Sequence, residues 1–160
     1  MLKHITLRAA AVAIGALTLT YTLAGQAQPS WFGTWELNPA KSLDNPGPSF
    51  RRVTCKIEKW EDGVRVTYNM VGTRGGITHM EWTGKFDGRD YSVQGVDYVL
   101  TNAYRTLSDR SYEIIVRVDG SQAAVATASI SADGRTLTVN TVERDARGRA
   151  SKTSAVYLKR

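Results

Sequence analysis

The chain has 160 residues and a formal net charge of +6, from 21 Lys and Arg against 15 Asp and Glu. That length suits one ordinary domain with a single core. Basic residues cluster only at Arg144–Arg149, where Asp145 interrupts them. The distribution of charge is therefore not that of a nucleic-acid-binding surface, and no nucleic-acid partner is expected.

The first 27 residues have the pattern of a signal peptide. Lys3, His4 and Arg8 precede an uncharged, largely apolar run, and small residues, Gly25 and Ala27, stand where a signal peptidase reads. The apolar run is shorter than the ~20 residues that span a bilayer, which disfavours a retained anchor.

We therefore expect a signal peptide at 1–27 and a single domain at 28–160. The mature chain is expected to be periplasmic or secreted, with no membrane insertion after cleavage. Cleavage would remove two basic residues and no acidic one, which lowers the formal charge from +6 to +4. No feature of the sequence sets an oligomeric state.

After residue 30 the chain reads as a succession of short strands. The segment 31–37 predicts the first strand, and Asn38 followed by Pro39 predicts one short helical turn. Pro46 and Pro48 favour an extended stretch after it. Turn signals then recur at short intervals, at 61–63, 72–76, 87–88, 108–109, 119–120, 133–134 and 147–148.

Between these turns apolar and polar side chains alternate. Val64, Val66, Tyr68 and Met70 share one face of a predicted strand, and the same period of two recurs at 111–118 and 136–141. Nine or ten short antiparallel strands must close on themselves or pack as two sheets, because open edges invite aggregation. The pattern predicts an all-β, antiparallel up-and-down barrel, with a two-sheet sandwich as the alternative.

The single cysteine fits this strand pattern. Cys55 alternates with Val53 and Ile57, which indicates a buried packing residue rather than a reactive thiol. With no second cysteine the chain has no internal disulfide.

Three segments resemble a known group of proteins. Residues 31–37, with Gly33 and Trp35, resemble the opening strand of the calycins, meaning lipocalins and fatty-acid-binding proteins, in which the Trp plugs the closed end of the barrel. The ending 155–160 is similar to the closing strand of fatty-acid-binding proteins. Together with 87–91 and 131–138, these segments resemble small exported bacterial lipocalin-like proteins of unassigned function.

Two departures from the fatty-acid-binding proteins bear on function. The resemblance implies a helix pair between the first two strands, but 38–50 contains three prolines and does not suit one. It also implies an Arg-x-Tyr motif that holds a lipid carboxylate. Here Ala155 stands at the Arg position before Tyr157, so no special preference for acidic lipids is expected.

No catalytic, metal-binding or cofactor motif is present in the sequence, and no cofactor is expected. His79 is the only histidine after the predicted signal peptide, and Glu81 lies on the same strand face. That pair suggests a general base, but a surface histidine beside a carboxylate is the more common arrangement.

Aromatic and Met side chains give the candidate ligand site. Their alternation places them on faces that can point into the barrel, where they would line an apolar pocket or simply fill the core. The candidate ligand-binding residues are Tyr68, Met80, Trp82, Tyr104 and Tyr112, and Met70 and Tyr98 fall on similar faces.

The leading function is an exported, non-catalytic barrel that binds a small, largely apolar molecule. The alternative is a barrel that meets a protein partner in the cell envelope, or inhibits one, through its outer surface or rim loops. A large apolar cavity with polar groups inside favours the first hypothesis, and a solid core with an exposed aromatic rim favours the second.

Overall fold

The computed structural model describes residues 29–43, 50–145 and 147–160. The expected signal peptide and the prolines at 46 and 48 lie outside the described residues. The described chain forms ten strands: β1 (Gly33–Leu37), β2 (Phe50–Trp60), β3 (Gly63–Gly72), β4 (Ile77–Gly84), β5 (Asp90–Ser92), β6 (Leu100–Ser108), β7 (Ser111–Val118), β8 (Ser121–Ile130), β9 (Thr136–Arg144) and β10 (Ala150–Lys159).

All ten strands belong to one antiparallel sheet with the order β4-β3-β2-β1-β10-β9-β8-β7-β6-β5. Every neighbouring pair is consecutive in the chain except β1 and β10, which place Trp35 opposite Lys159. Two hydrogen bonds between the backbones of Glu81 and Gln94, 3.1 and 2.7 Å long, then join the outer edges of the sheet at a junction called here the seam. The result is a nearly closed up-and-down barrel, and the sandwich alternative is excluded.

The first strand and the turn after it follow the local sequence closely. β1 begins at Gly33, two residues later than expected, because Pro29–Trp31 form a short 3-10 turn. A second 3-10 turn spans Pro39–Lys41, and the Asn38 side-chain oxygen accepts a hydrogen bond from the Lys41 amide at 3.2 Å. The predicted helical turn is thus confirmed, with proline at its first position.

The two ends of the barrel differ. At one end, called here the closed end, the β2–β3, β6–β7 and β8–β9 hairpins turn. At the other, the open end, lie the β3–β4, β7–β8 and β9–β10 hairpins and the loop 93–99.

Trp35 lies inside the closed end and has no exposed surface. Its indole nitrogen donates to the Trp31 carbonyl at 3.0 Å, and Lys159 Nζ lies 4.9 Å from the centre of its ring. Trp31 in turn packs on Tyr112 with ring centres 4.4 Å apart. The expected position of Trp35 as a buried plug against the closing strand is confirmed.

Candidate functional site

Burial of the inward-facing side chains changes along the barrel axis. On β3, Val64 and Val66 are buried near the closed end, whereas Tyr68 and Met70, two and four positions further on, remain partly exposed. The same change occurs on β4, β7, β9 and β10, where partly buried inward residues toward the open end include Met80, Ile114, Val116, Val139, Thr141 and Thr153. The barrel is therefore packed solid at its closed end, and its inner wall stays accessible toward the open end.

The five candidate ligand residues all point inward and form one connected group. Tyr68 stands opposite Met80 in the β3–β4 pairing and stacks on Trp82 with ring centres 5.7 Å apart. Tyr104 packs edge-on against Tyr112, also at 5.7 Å. The structure thus brings together residues from four strands, at the boundary between the packed half and the accessible half.

A hydrogen-bonded group on β4 and β6, called here the Tyr104 cluster, lies at this boundary. Trp82 Nε1 donates to the Tyr104 hydroxyl, and the side chain of Asn102 also hydrogen-bonds to that hydroxyl. Asn102 and Tyr104 are 7% and 1% exposed. All three side chains come from positions that share the inward face of their strands.

A second polar group lies across the barrel on β2, β3 and β10. The Tyr68 hydroxyl donates to the Tyr157 hydroxyl at 3.4 Å and also hydrogen-bonds to the Cys55 thiol. Cys55 is 2% exposed, as its strand pattern predicted. No buried side-chain N or O atom of the described residues lacks a hydrogen-bond partner.

These interior groups stay uncharged. Burial raises the pKa of the Cys55 thiol and of the Tyr157 hydroxyl, each to about 12. Burial also raises the pKa of Tyr68, Tyr104 and Tyr112 well above the ordinary range of a phenol. Moving an ionised group out of water is costly, so each keeps its proton at neutral pH.

Charged side chains of the described strands lie outside the barrel or at its rim. On β9 the first charged residue of the inward face is Glu143, which is exposed at the open end. Ala155 is 1% exposed and directed inward, so no cation stands at the position where the resemblance would have placed an arginine. The inner wall is apolar, with hydroxyl, thiol and amide groups as its polar elements.

His79 does not form the pair that the sequence suggested. Its ring nitrogen Nδ1 lies 2.8 Å from Asn69 Oδ1 on the outer face of the sheet. Glu81 instead faces Arg65, with 3.7 Å between the charged atoms. His79 is exposed and remote from the interior groups, so the general-base hypothesis is not supported.

Asp87, which the sequence placed in a turn, bonds its local backbone. It accepts hydrogen bonds from the Arg89 amide and the Tyr91 hydroxyl, each at 3.0 Å. Among the described residues no group of three or more His, Cys, Asp or Glu could hold a metal ion. Within the same residues, no helix is long and apolar enough to span a bilayer.

Two hollows on the outside of the barrel offer no apolar alternative. One of about 370 Å³ lies beside Glu36 and Arg160, and another of about 420 Å³ lies beside the turn that holds Asp145 and Arg149. Both are open and partly lined by charged side chains, so they do not suit an apolar guest.

Sequence reasoning missed Asn102 and misplaced Tyr98. Asn102 is two positions from Tyr104 on β6, so the period of two was the signal that could have found it. Tyr98 lies in the loop before β6 and is 49% exposed, so it does not line the interior. Phe86 follows β4 and packs on both Tyr104 and Tyr112, at 5.8 and 5.5 Å between ring centres.

The fold defines a calycin-like barrel: ten antiparallel strands in one sheet, in which the first strand pairs with the last and the outer edges meet at Glu81 and Gln94. Among solved structures, the chain is similar to zebrafish ileal bile acid-binding protein in complex with cholic acid. The two are 12% identical, with a TM-score of 0.49, over 82% of this chain and 99% of that one.

It is also similar to the siderocalin Ex-FABP, described as functioning through dual ligand specificities. That match has 12% identity and a TM-score of 0.37, over 82% of this chain and 71% of that one. The sequence matches no protein-family model and no curated protein sequence.

Proposed function

We propose that this protein is an exported, non-catalytic barrel that binds a small, largely apolar molecule in its open half. The observation that carries this proposal is the accessible inner wall: inward-facing Met70, Met80, Ile114 and Val139 remain partly exposed although they pack against the core. Accessible apolar surface inside a concave wall is the usual setting of a small-molecule site.

The energetics favour an apolar guest. Removing apolar surface from water contributes about 25 cal/mol per Å² before the costs of association are subtracted. The interior supplies no charged group among its described inward residues below the rim, so a strongly polar guest would lose its hydration without a charged partner.

Two neighbouring substitutions on β9 test the site. Val139 is partly buried and faces inward, whereas Asn140, the next residue, is exposed on the outer face. Val139→Lys should abolish binding of the neutral dye Nile red, and Asn140→Lys should leave its affinity within about twofold, since surface substitutions rarely exceed ±0.5 kcal/mol. Trp82→Ala should also weaken the binding.

Thermal melts of each variant show that the barrel remains folded. If folded wild-type protein binds neither Nile red nor a broad panel of apolar compounds, fatty acids and haem, the carrier proposal is refuted. Equal dye binding by Val139→Lys and wild type would also refute it, because the dye would then lie outside the barrel.

Export is tested separately. The charged and then apolar leader predicts a mature protein that starts at Gln28. Mass spectrometry of protein recovered from the periplasm or the medium should show the loss of residues 1–27. Retention of those residues in the mature protein would refute the export proposal and leave the binding proposal unaffected.

Exposed apolar side chains at the open end support the second candidate, a protein-binding barrel. Ile77 is 74% exposed and Val99 62% exposed, and both border the mouth together with Tyr98. A photo-crosslinking residue at position 99 should then trap one discrete protein in cells, and the same residue at position 140 should not. Equal capture at both positions would count against a specific partner at the rim.

A further inference from the structure

Basic side chains gather on one side of the open end. They stand where β2 begins, in the β3–β4 turn and in the β9–β10 hairpin, at 50–52, 72–76 and 143–152, segments called here the basic rim. Its seven basic residues are all exposed: Arg51, Arg52, Arg74, Arg144, Arg147, Arg149 and Lys152. Against them stand two acidic residues, Glu143 and Asp145, so seven positive and two negative charges give the basic rim a formal charge of +5.

Strand pairing brings these segments together although they are far apart in sequence. Arg52 lies opposite Val71, just before the β3–β4 turn, and only β1 separates β2 from β10 in the sheet. Neighbouring strands lie about 4.8 Å apart, so β2 and β10 are about 10 Å apart. The acidic residues Asp97 and Asp119 belong to the loop 93–99 and the β7–β8 turn, on the other side of the mouth.

Most of the rim cations have no carboxylate partner. Arg149 pairs with Asp145, with 2.6 Å between the charged atoms, and the other six form no ion pair with a carboxylate of the described residues. At the closed end, by contrast, Lys85 lies 2.8 Å from both Glu61 and Asp62. The basic rim therefore carries uncompensated positive charge, which attracts an anionic surface.

Large apolar side chains project at the same end. Ile77, Val99 and Leu43 are 74%, 62% and 61% exposed, the three highest values among the large apolar residues of the described chain. Ile77 follows the β3–β4 turn, and Leu43 is bonded through its backbone to Ser154 of β10, so both border the basic rim. Tyr98, next to Val99, adds an amphipathic ring of the kind enriched at membrane–water interfaces.

This arrangement suits a flat anionic surface better than a protein partner. Protein interfaces bury a packed apolar centre from which charged residues are depleted. Here the exposed apolar side chains stand apart on separate segments around the mouth, with arginines between them. A lipid bilayer requires no shape match: acidic headgroups attract the cations, and single apolar side chains enter the boundary of the acyl region.

We propose that the open end of the barrel docks peripherally on an anionic lipid bilayer, through the basic rim together with Leu43 and Ile77. The contact stays at the headgroup level, and no strand enters the hydrocarbon core. The inference does not depend on the proposed ligand, because it rests on the outside of the rim and not on the inner wall.

Cosedimentation with lipid vesicles tests the docking. Protein recovered from the periplasm or the medium is mixed with vesicles of phosphatidylcholine alone or with roughly 30 mol% phosphatidylglycerol. The partition coefficient should be at least about 10-fold higher for the anionic vesicles at 0.1 M salt, and the difference should largely disappear at about 0.5 M salt because screening weakens the attraction.

Two triple variants with the same net charge locate the contact. The rim variant carries Arg74→Glu, Arg147→Glu and Lys152→Glu. Each basic residue near such a surface contributes about fivefold, so partitioning to anionic vesicles should fall by about 100-fold or more. Thermal melts verify that the variant is folded.

The control variant reverses three exposed cations at the closed end, in Lys59→Glu, Arg110→Glu and Arg135→Glu. It should stay within about threefold of wild type. β2 runs from one end to the other over 11 residues, about 35 Å of strand, which exceeds the Debye length of about 10 Å at 0.1 M salt.

A fluorescent label reports the orientation. Cys55 is 2% exposed, so a cysteine introduced at the surface is the thiol that a nitrobenzoxadiazole reagent reaches. The label on Ile77→Cys should gain intensity and shift to shorter wavelength with anionic vesicles, because it enters a less polar environment. The label on Leu107→Cys, an exposed apolar position at the closed end, should not respond.

Several results would overturn the proposal. Equal losses in the two triple variants would show a response to overall charge, and equal partitioning to both kinds of vesicle, or to neither, would show that anionic lipid is not the partner. A response at position 107 in place of 77 would assign the contact to the other end. If vesicles do not bind and a crosslinker at position 99 traps a protein, the rim serves that protein. Nile red binding without vesicles remains a separate measure of the carrier function.

Discussion

Trp35→Ala should lower the melting temperature of the barrel by about 10–20 °C, since 1 kcal/mol shifts a domain of this size by a few degrees. Trp35 has no exposed surface, and replacing a buried Trp by Ala costs about 3–5 kcal/mol through lost burial and the cavity left behind. The variant also loses the hydrogen bond to the Trp31 carbonyl and the contact with Lys159. A domain with ~5–15 kcal/mol of stability would lose a large part of it.

The assay is thermal unfolding followed by far-ultraviolet circular dichroism, with chemical denaturation to obtain the free energy. Trp60→Ala is the matched control. Trp60 ends β2 at the closed end and is only partly buried, with Lys85 Nζ 5.6 Å from its ring centre. Its loss should cost about 1 kcal/mol or less, as expected for a partly exposed contact. Equal melting shifts for the two variants would refute the role of Trp35 as the plug of the closed end.

Two further predictions concern the seam and the buried thiol. Gly95 has φ +93°, and a Cβ there would lie 1.9 Å from the His79 carbonyl oxygen. Gly95→Ala should therefore destabilise the barrel well beyond the control Gly88→Ala, whose Cβ meets open space at φ +74°. Equal losses of unfolding free energy in chemical denaturation would contradict the close approach at the seam. The Cys55 thiol has its pKa raised from 9.0 to about 12, so it contributes stability that is fully present below pH 9 and lost as the pH rises toward 12. Between pH 9 and pH 10 the free energy of unfolding should fall by up to about 1.4 kcal/mol, and Cys55→Ala should flatten that slope. A slope unchanged in Cys55→Ala would show that other groups cause it.

The sequence predicted those features that depend on local pattern. The period of two placed Val64 and Val66 on the inward face, and Asp-Gly and related pairs marked the hairpins. The position of Trp35 at the closed end came instead from the resemblance of the Gly-x-Trp opening to calycins, and the structure has Trp35 there.

The features that sequence did not predict depend on contacts between distant strands. Alternation gives the face of Tyr104 but not its neighbours, because the Trp82 indole reaches it from β4 across the seam. Equally, Glu81 shares a strand face with His79, yet the cross-strand positions of Arg65 and Asn69 decide which partner each one takes. Such pairings follow from register, which only the folded sheet defines.

The pairing of β1 with β10 determines where the chain could be circularly permuted. It brings the two ends of the described chain side by side, with the Arg160 amide 2.9 Å from the Thr34 carbonyl. It is also the one strand pairing of the described sheet that joins residues far apart in sequence. A circular permutant that links residue 160 to residue 29 and opens the chain between β4 and β5 would turn every strand pairing into a local hairpin. Because folding slows as contacts become less local, that permutant should fold faster than the natural chain.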